Sequence, residues 1–346
     1  MISRRELAKI LGLSAAGAAA AGRAVALSPS PKPIVKPRKL QPGDTVGLVL
    51  PASMAFEGSK IDLAREQLEA IGFEVRLGGH ARSRHGYFAG TDHQRAADVN
   101  AMFADDGVDG IFCYTGGWGT PRVLPLLDFD LIRRHPKVII GYSDITALVN
   151  AIHQETGLVT FHGPVAASHI RPWTLEQLRR VVMSTLPIGT LTNPEKGEDE
   201  LVNREFRILT IRGGRSRGKI VGGNLTLLAA LMGTPWEVRT EGAILMLEDI
   251  REEYYRVDRM LTQLAQGGKF DRVAGVVFGY CTKCSVEAPS FSFEEILRDR
   301  LEPLGVPAMA GLAFGHLPKM LTLPIGLEAT LDADAGTLTI EEAAVV

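Results

Sequence analysis

The sequence predicts an α/β protein: an N-terminal doubly wound parallel-sheet domain, followed by a smaller C-terminal α+β domain with a mixed or barrel-like sheet. Three observations carry this expectation. Across residues 45–150, short apolar runs alternate with stretches of helical spacing, the order expected of buried parallel strands with helices on both faces. A polar, breaker-rich stretch, 186–212, then interrupts the chain. Beyond it, apolar runs resume and end in a hairpin signal around Asp334-Ala335-Gly336. With 346 residues and 45% hydrophobic content, the chain can bury a large core, and more than one domain is expected.

The first 26 residues differ from the rest. Arg4-Arg5 opens a positive region, a weakly apolar Ala/Gly/Leu stretch follows, and Ala24-Val25-Ala26 fits an A-x-A cleavage site. The order resembles a bacterial twin-arginine export signal, so 1–26 is expected to be removed and the mature protein to be periplasmic. Residues 27–40, with Pro29, Pro31, Pro33 and Pro37, read as a tether. No later segment holds eighteen uninterrupted apolar residues, so the mature chain is expected to span no membrane.

The first domain is expected over 41–185. Thr45–Leu50 is a short strand stopped by Pro51. Ile61, Leu63, Ala64, Leu68 and Ile71 have helical spacing, and Gly72 ends that helix. Residues 73–78 alternate like a strand. Residues 91–103 form a helix capped by Thr91 or Asp92. Gly110–Cys113 is a buried strand that runs into the loop Thr115-Gly116-Gly117-Trp118-Gly119-Thr120, followed by helix-like Pro121–Leu127. Val138–Ile140 is the next strand. It meets Gly141, Tyr142, Ser143 and Asp144, and helical spacing resumes from Ile145 to Ile152. Ligands of such sheets bind where strand C-termini meet loops, which places the glycine loop and Ser143 at one edge. After the linker at 186–212, the second domain is expected over 213–346. Asn224 caps a helix ending near Gly233, Ala243–Leu247 is a strand ending in Glu248-Asp249, Tyr254–Leu264 is helical, and Val273–Phe278 is a strand.

A net charge of −2 gives no electrostatic footprint for nucleic acid. Cys281-x-x-Cys284 has no second pair and no adjacent histidine, so a zinc site is not expected; in an oxidising compartment the pair can form a small disulfide. Cys113 lies in an apolar run and reads as core. Gly116-Gly117-Trp118-Gly119 is not G-x-G-x-x-G, so no dinucleotide is expected, and no cofactor or metal is implied elsewhere.

Ser143, between a strand and a helix, fits the mechanics of a nucleophile elbow. Gly141 matches the first glycine of G-x-S-x-G, but Ile145 stands in place of the second. The competing reading is that Ser143 or Asp144 merely caps the helix. A serine nucleophile needs a base and an orienting carboxylate. Among the eight histidines, His162, after a strand, and His316, in a Gly/Pro-bounded loop, are both plausible bases on position alone. Glu248 ends an apolar strand, where a carboxylate needs a partner; a salt bridge to Arg251 or Arg256 is the alternative.

Five blocks sharpen this. GYSDITAL, TGGWGTPRVLPLLD, GGNLTLLAALMGTPWE, ILMLEDIREEYYRVDRMLTQL and the Gly315-His316-Leu317-Pro318 loop resemble the LD-carboxypeptidase family, or muramoyltetrapeptide carboxypeptidases, over nearly all of the chain after residue 40. The family consists of serine peptidases with a Ser-Glu-His triad. The resemblance implies Ser143 as nucleophile, Glu248 as orienting carboxylate and His316, rather than His162, as base. It implies hydrolysis of the amide between an L-centre and a terminal D-amino acid, as in peptidoglycan stem tetrapeptides during cell-wall turnover. The N–H groups of Asp144 and Gly117 are then expected to meet the oxyanion, with Gly116 allowing close approach and Trp118 either packing against the substrate or simply buried. The loop departs from the family's usual Arg-Gly-Gly-Tyr-Gly at Thr115 and Trp118. A homodimer is also implied. Two other readings stand beside this: a same-fold amidase conferring immunity to a peptide-nucleotide antibiotic, and an exported protein that binds cell-wall peptides without cutting them.

Overall fold

The computed structural model describes residues 32–197, 201–286 and 289–346; the export signal expected at 1–26 and residues 27–31 of the expected tether lie outside the described residues. Residues 35–40 are not a free tether, since Val35 bridges to Leu158 and Leu40 is buried in the core. The chain first lays down β1 (Thr45–Val49), β2 (Glu74–Leu77), β3 (Gly110–Cys113), β4 (Val138–Gly141) and β5 (Thr160–His162). It continues through β6 (Gly189–Leu191), β7 (Leu209–Arg212), β8 (Arg215–Asn224), β9 (Ala243–Ile250) and β10 (Gly275–Thr282). The last strands are β11 (Ala308–Ala310), β12 (Leu323–Ile325), β13 (Glu328–Asp332) and β14 (Thr337–Ile340).

In the first sheet the order is β12-β5-β4-β3-β1-β2, and the pairs among β1 to β5 are all parallel. Strands β3 and β4 are buried along their whole length, which is why their sequences are runs of Ile, Val and Phe rather than alternations. Flanking helices follow the expected caps. Gly72, at φ 116°, closes the helix Gly58–Ile71, and Thr91, not Asp92, caps Asp92–Ala104 in a reciprocal box with Gln94. The segment Pro121–Leu127 splits into a helical turn, Thr120–Val123, and a 3₁₀ turn, Leu124–Leu126, because Pro125 has no N–H to continue the α ladder.

The second sheet runs β6-β14-β13-β8-β9-β10-β11-β7. Its centre, β8 to β11, is parallel and its flanks are antiparallel. The sheet is therefore mixed. It is not barrel-like: β6 and β7 stand at opposite edges and do not pair with each other, so the sheet stays open. Both edges come from residues 186–212, the stretch read as a linker. Its breakers flank two short strands that pair with β14 and β11.

One strand crosses between the sheets. From β11 in the second sheet the chain runs through residues 311–322 and enters the first sheet as β12, antiparallel to β5. A common apolar core follows, in which Ile139, Phe161 and Leu148 of the first half join Ile220, Met246 and Phe314 of the second. Cys113 is free and fully buried, and burial pushes its thiol up; Cys281 and Cys284 are disulfide-bonded. Among the described residues, no helix is long and apolar enough to cross a membrane.

Candidate active site

The site begins at the tip of β4. Gly141 is required there because a Cβ would come 2.7 Å from Ile145 Cγ2. Tyr142 is extended, and Ser143 turns sharply to φ 64°, followed by a 3₁₀ turn, Ser143–Ile145, and the helix Thr146–Thr156. A left-handed conformation costs a non-glycine residue about 1–2 kcal/mol. Such strain persists only where the surroundings impose it, and it concentrates at functional positions. Ser143 therefore does not act as an ordinary helix cap, and no side-chain cap bond forms at this helix start.

The glycine loop after β3 closes over this turn. A Cβ on Gly116 would stand 2.8 Å from Ser143 Cβ, 3.0 Å from its Oγ and 3.0 Å from the Asp144 nitrogen. Only glycine leaves that space open. Gly117 takes φ 100° and Gly119 φ 109°. The loop is anchored from below: Ser53 Oγ donates to the Gly116 carbonyl at 2.7 Å. Asp144 is 3% exposed and its Oδ2 accepts the Thr120 N–H at 2.7 Å. Burial raises the Asp144 pKa, against the hydrogen bonds from Thr120 and the charge of Arg95.

The other side of the site comes from the second sheet. Register between β8 and β9 puts Asn224 opposite Glu248. Glu248 is 0% exposed, and its Oε2 lies 2.7 Å from His316 Nδ1. An ionised carboxylate only accepts, so Nδ1 carries the proton and Nε2 is left as the basic nitrogen. Asn224 Nδ2 reaches Glu248 Oε1 at 3.4 Å and Asp249 Oδ1 at 3.0 Å, while its backbone N–H donates to Thr146 Oγ1 at 3.0 Å. Burial, with the charge of Glu248 alongside, raises the Asp249 pKa. Gly315, at φ 90°, passes so close to Glu248 Oε2 that a Cβ cannot fit. The salt-bridge alternative for Glu248 is overturned: its partner is His316, and Arg256 pairs with Glu253.

The two sides meet at Tyr142. Its ring packs edge-on against His316, with centroids 4.8 Å apart, so the imidazole lies beside the chain neighbour of Ser143. Among the described residues the Ser143 hydroxyl has no hydrogen-bond partner; serine–base contacts are often long until substrate is in place. His162 is fully buried behind Tyr142, with ring centroids 6.1 Å apart, and neither ring nitrogen finds a partner among the described residues. Burial pushes its pKa down to about 3, and nearby His316 adds to this, so His162 stays neutral.

Trp118 is 50% exposed and meets Tyr87 edge-on with centroids 5.9 Å apart. Both border a largely apolar cleft of about 660 Å³ that also touches Gly117, Asp144, Thr226 and Leu227. The structure thus brings Gly116, Gly117, Asp144 and Trp118 to one side of Ser143, and Glu248 with His316 to the other. Sequence reasoning missed Ser53 and Arg95 and saw Asn224 only as a cap. Gly315, directly before His316, was a readable signal for close packing. Arg95, at an ordinary surface-like position of a helix, was not.

Comparison with known proteins agrees with this geometry. The family model described as the LD-carboxypeptidase N-terminal domain matches residues 46–163, and that of the LD-carboxypeptidase C-terminal domain matches 217–331. The chain is 42% identical over 314 residues to a probable murein peptide carboxypeptidase of Bacillus subtilis, covering 88% of this chain and 94% of the relative. It superposes on the crystal structure of muramoyltetrapeptide carboxypeptidase from Oxalobacter formigenes with a TM-score of 0.74 at 29% identity, covering 86% of this chain and 99% of the other. It also superposes on the microcin C7 self-immunity protein MccF in complex with aspartyl sulfamoyl adenosine, with a TM-score of 0.82 at 28% identity, covering 90% and 100%.

Proposed function

We propose that this chain, which belongs to the LD-carboxypeptidase family and is a serine-type carboxypeptidase, releases the terminal D-alanine from peptidoglycan stem tetrapeptides outside the cytoplasm. The observation that carries the reading is the buried Glu248–His316 bond set beside a serine held at positive φ. Substrate binding brings Ser143 Oγ under His316 Nε2, which takes its proton as the oxygen attacks the carbonyl. Glu248 stabilises the imidazolium that forms. The backbone N–H groups of Asp144 and Gly117 receive the developing oxyanion, each contributing about 3 kcal/mol to the barrier reduction. His316 then protonates the leaving amine, and water hydrolyses the acyl-enzyme. The cleft beside Trp118 and Tyr87 takes the remainder of the stem peptide.

The test is incubation with muropeptide tetrapeptide, following free D-alanine by mass spectrometry. Release by the wild type and none by Ser143→Ala is expected; undiminished release by Ser143→Ala removes the nucleophile. A second reading has its own support. MccF is a close structural match, and the aromatic pair Trp118–Tyr87 suits a nucleobase. Hydrolysis of aminoacyl sulfamoyl adenosine in preference to tetrapeptide would favour it. Membership of a carboxypeptidase family speaks against mere capture of peptides.

Export is supported by the Cys281–Cys284 disulfide, a bond suited to an oxidising compartment. Mature protein is expected to begin near Leu27, by N-terminal sequencing of the periplasmic fraction. A homodimer is the expected assembly, checked by sedimentation.

A further inference from the structure

The peptide group joining Gly119 to Thr120 is held at both ends. Its oxygen accepts Arg95 Nη1 at 2.9 Å, and its N–H donates to Asp144 Oδ2 at 2.7 Å. A cation at the oxygen end and a carboxylate at the hydrogen end match the dipole of the group, so one orientation of this peptide is favoured and its reverse opposed. Neither charge is diluted by water: the Arg95 side chain is 0% exposed and Asp144 3%. In such surroundings each bond is stronger than its surface counterpart.

Arg95 reaches further. The same Nη1 donates to the Pro51 carbonyl at 2.6 Å, just beyond β1 and two residues before Ser53, which holds Gly116. Its other amino group pairs with Asp92, and the guanidinium lies 4.6 Å from the centroid of the Phe88 ring. Burying a guanidinium costs several kcal/mol that its partners must offset, and an apolar side chain would fill the space at lower cost. Arg95 spends its donors on two loop carbonyls that an apolar side chain would leave unbonded. Asp144, for its part, directly follows Ser143.

We propose that the Arg95 and Asp144 side chains form a two-ended clamp on the Gly119–Thr120 peptide, fixing the glycine loop at the distance from Ser143 at which its N–H groups meet the oxyanion. Both are positioning residues: they act through the loop backbone. The proposal rests on Ser143 being the nucleophile and the loop supplying an oxyanion donor. It predicts damage to the chemical step rather than to substrate capture, because oxyanion donors bind the transition state more strongly than the ground state.

The experiment compares Arg95→Met, Arg95→Lys, Asp144→Asn and the Arg95→Met/Asp144→Asn double variant. Folded fraction and melting temperature are recorded beside kcat and KM for tetrapeptide. Arg95→Met is expected to lower kcat about 100-fold, the scale of losing one oxyanion donor, with KM within about threefold. Arg95→Lys keeps the charge and one carbonyl contact and should recover about tenfold of that loss. Asp144→Asn keeps an acceptor for the Thr120 N–H and should cost about tenfold. The double variant should lose little beyond Arg95→Met, since coupled residues are not additive. A rise in KM with kcat intact overturns the clamp, as do additive losses or a kcat that merely follows the folded fraction. If Arg95→Met does not fold, Arg95→Lys and Asp144→Asn decide alone, and unchanged kcat in both overturns it. D-alanine release by Ser143→Ala would sink the nucleophile assignment instead, so the two failures are distinct.

Discussion

The two halves of this active site are built from different materials. Around Ser143 the first sheet supplies backbone: a residue at φ 64°, four glycines (Gly116, Gly117, Gly119 and Gly141) that keep side chains away, and N–H groups at a strand tip. Around His316 the second sheet supplies side chains, with Glu248, Asn224 and Asp249 arriving from two adjacent strands and the imidazole from a loop beyond them. The backbone half lies within residues 110–146, whereas the side-chain half is assembled across 224–316. In the proposed mechanism local geometry makes the nucleophile accessible, long-range packing makes the base available, and the two act together.

The largest expected effect tests that interdependence. Ser143→Ala and His316→Ala should each lower kcat/KM by about 10⁵-fold or more, and the double variant by little more, because the pair acts as a unit. Additive losses would mean that the halves work independently. Next comes the backbone half alone. Gly116→Ala places a methyl 2.8 Å from Ser143 Cβ and should cost about 100-fold in kcat, the scale of a misplaced oxyanion donor, together with a lowered melting temperature from the overpacked turn. Retained activity would show that the loop has more room than its packing indicates.

A third prediction concerns the junction. His162 is held neutral, with its pKa pushed down to about 3 in the fold against about 6.5 in the unfolded chain. Between these values the unfolded chain binds the extra proton, so stability is full above about pH 6.5 and declines as pH falls toward 3. Denaturant melts of His162→Phe should show a shallower acid decline than wild type; parallel curves would remove His162 as the source. The smallest effect is expected from the C-terminal end of β10. Cys281→Ser/Cys284→Ser opens a very short loop and should cost about 2 kcal/mol, read as a lower melting temperature with kcat preserved.

The same contrast explains how much was legible in sequence. The strand–turn–helix at Val138–Thr156 and the glycine loop carry local signals, namely apolar runs, glycines and caps, and both appear where expected. Choosing His316 over His162 was beyond spacing, since 68 residues separate His316 from Glu248 and only the fold joins them; family resemblance supplied that choice. The open second sheet was not foreseen as such, because β6 and β7 are three and four residues long and sit among breakers. Their pairing is set by edges already formed elsewhere, which local composition does not record. Arg95 was invisible for a related reason: its burial depends on Phe88 and two loops that close over its helix.

The strap from β11 to β12 has a consequence for the whole machine. His316 rides on the stretch that leaves the second sheet at β11 and enters the first as β12, with anchors at Ala310 and Leu323. Any slippage between the two layers must therefore pull on the imidazole itself. In the proposed mechanism the general base doubles as a gauge of interlayer alignment, and a chain truncated before residue 323 loses that far anchor while keeping Ser143, Glu248 and His316.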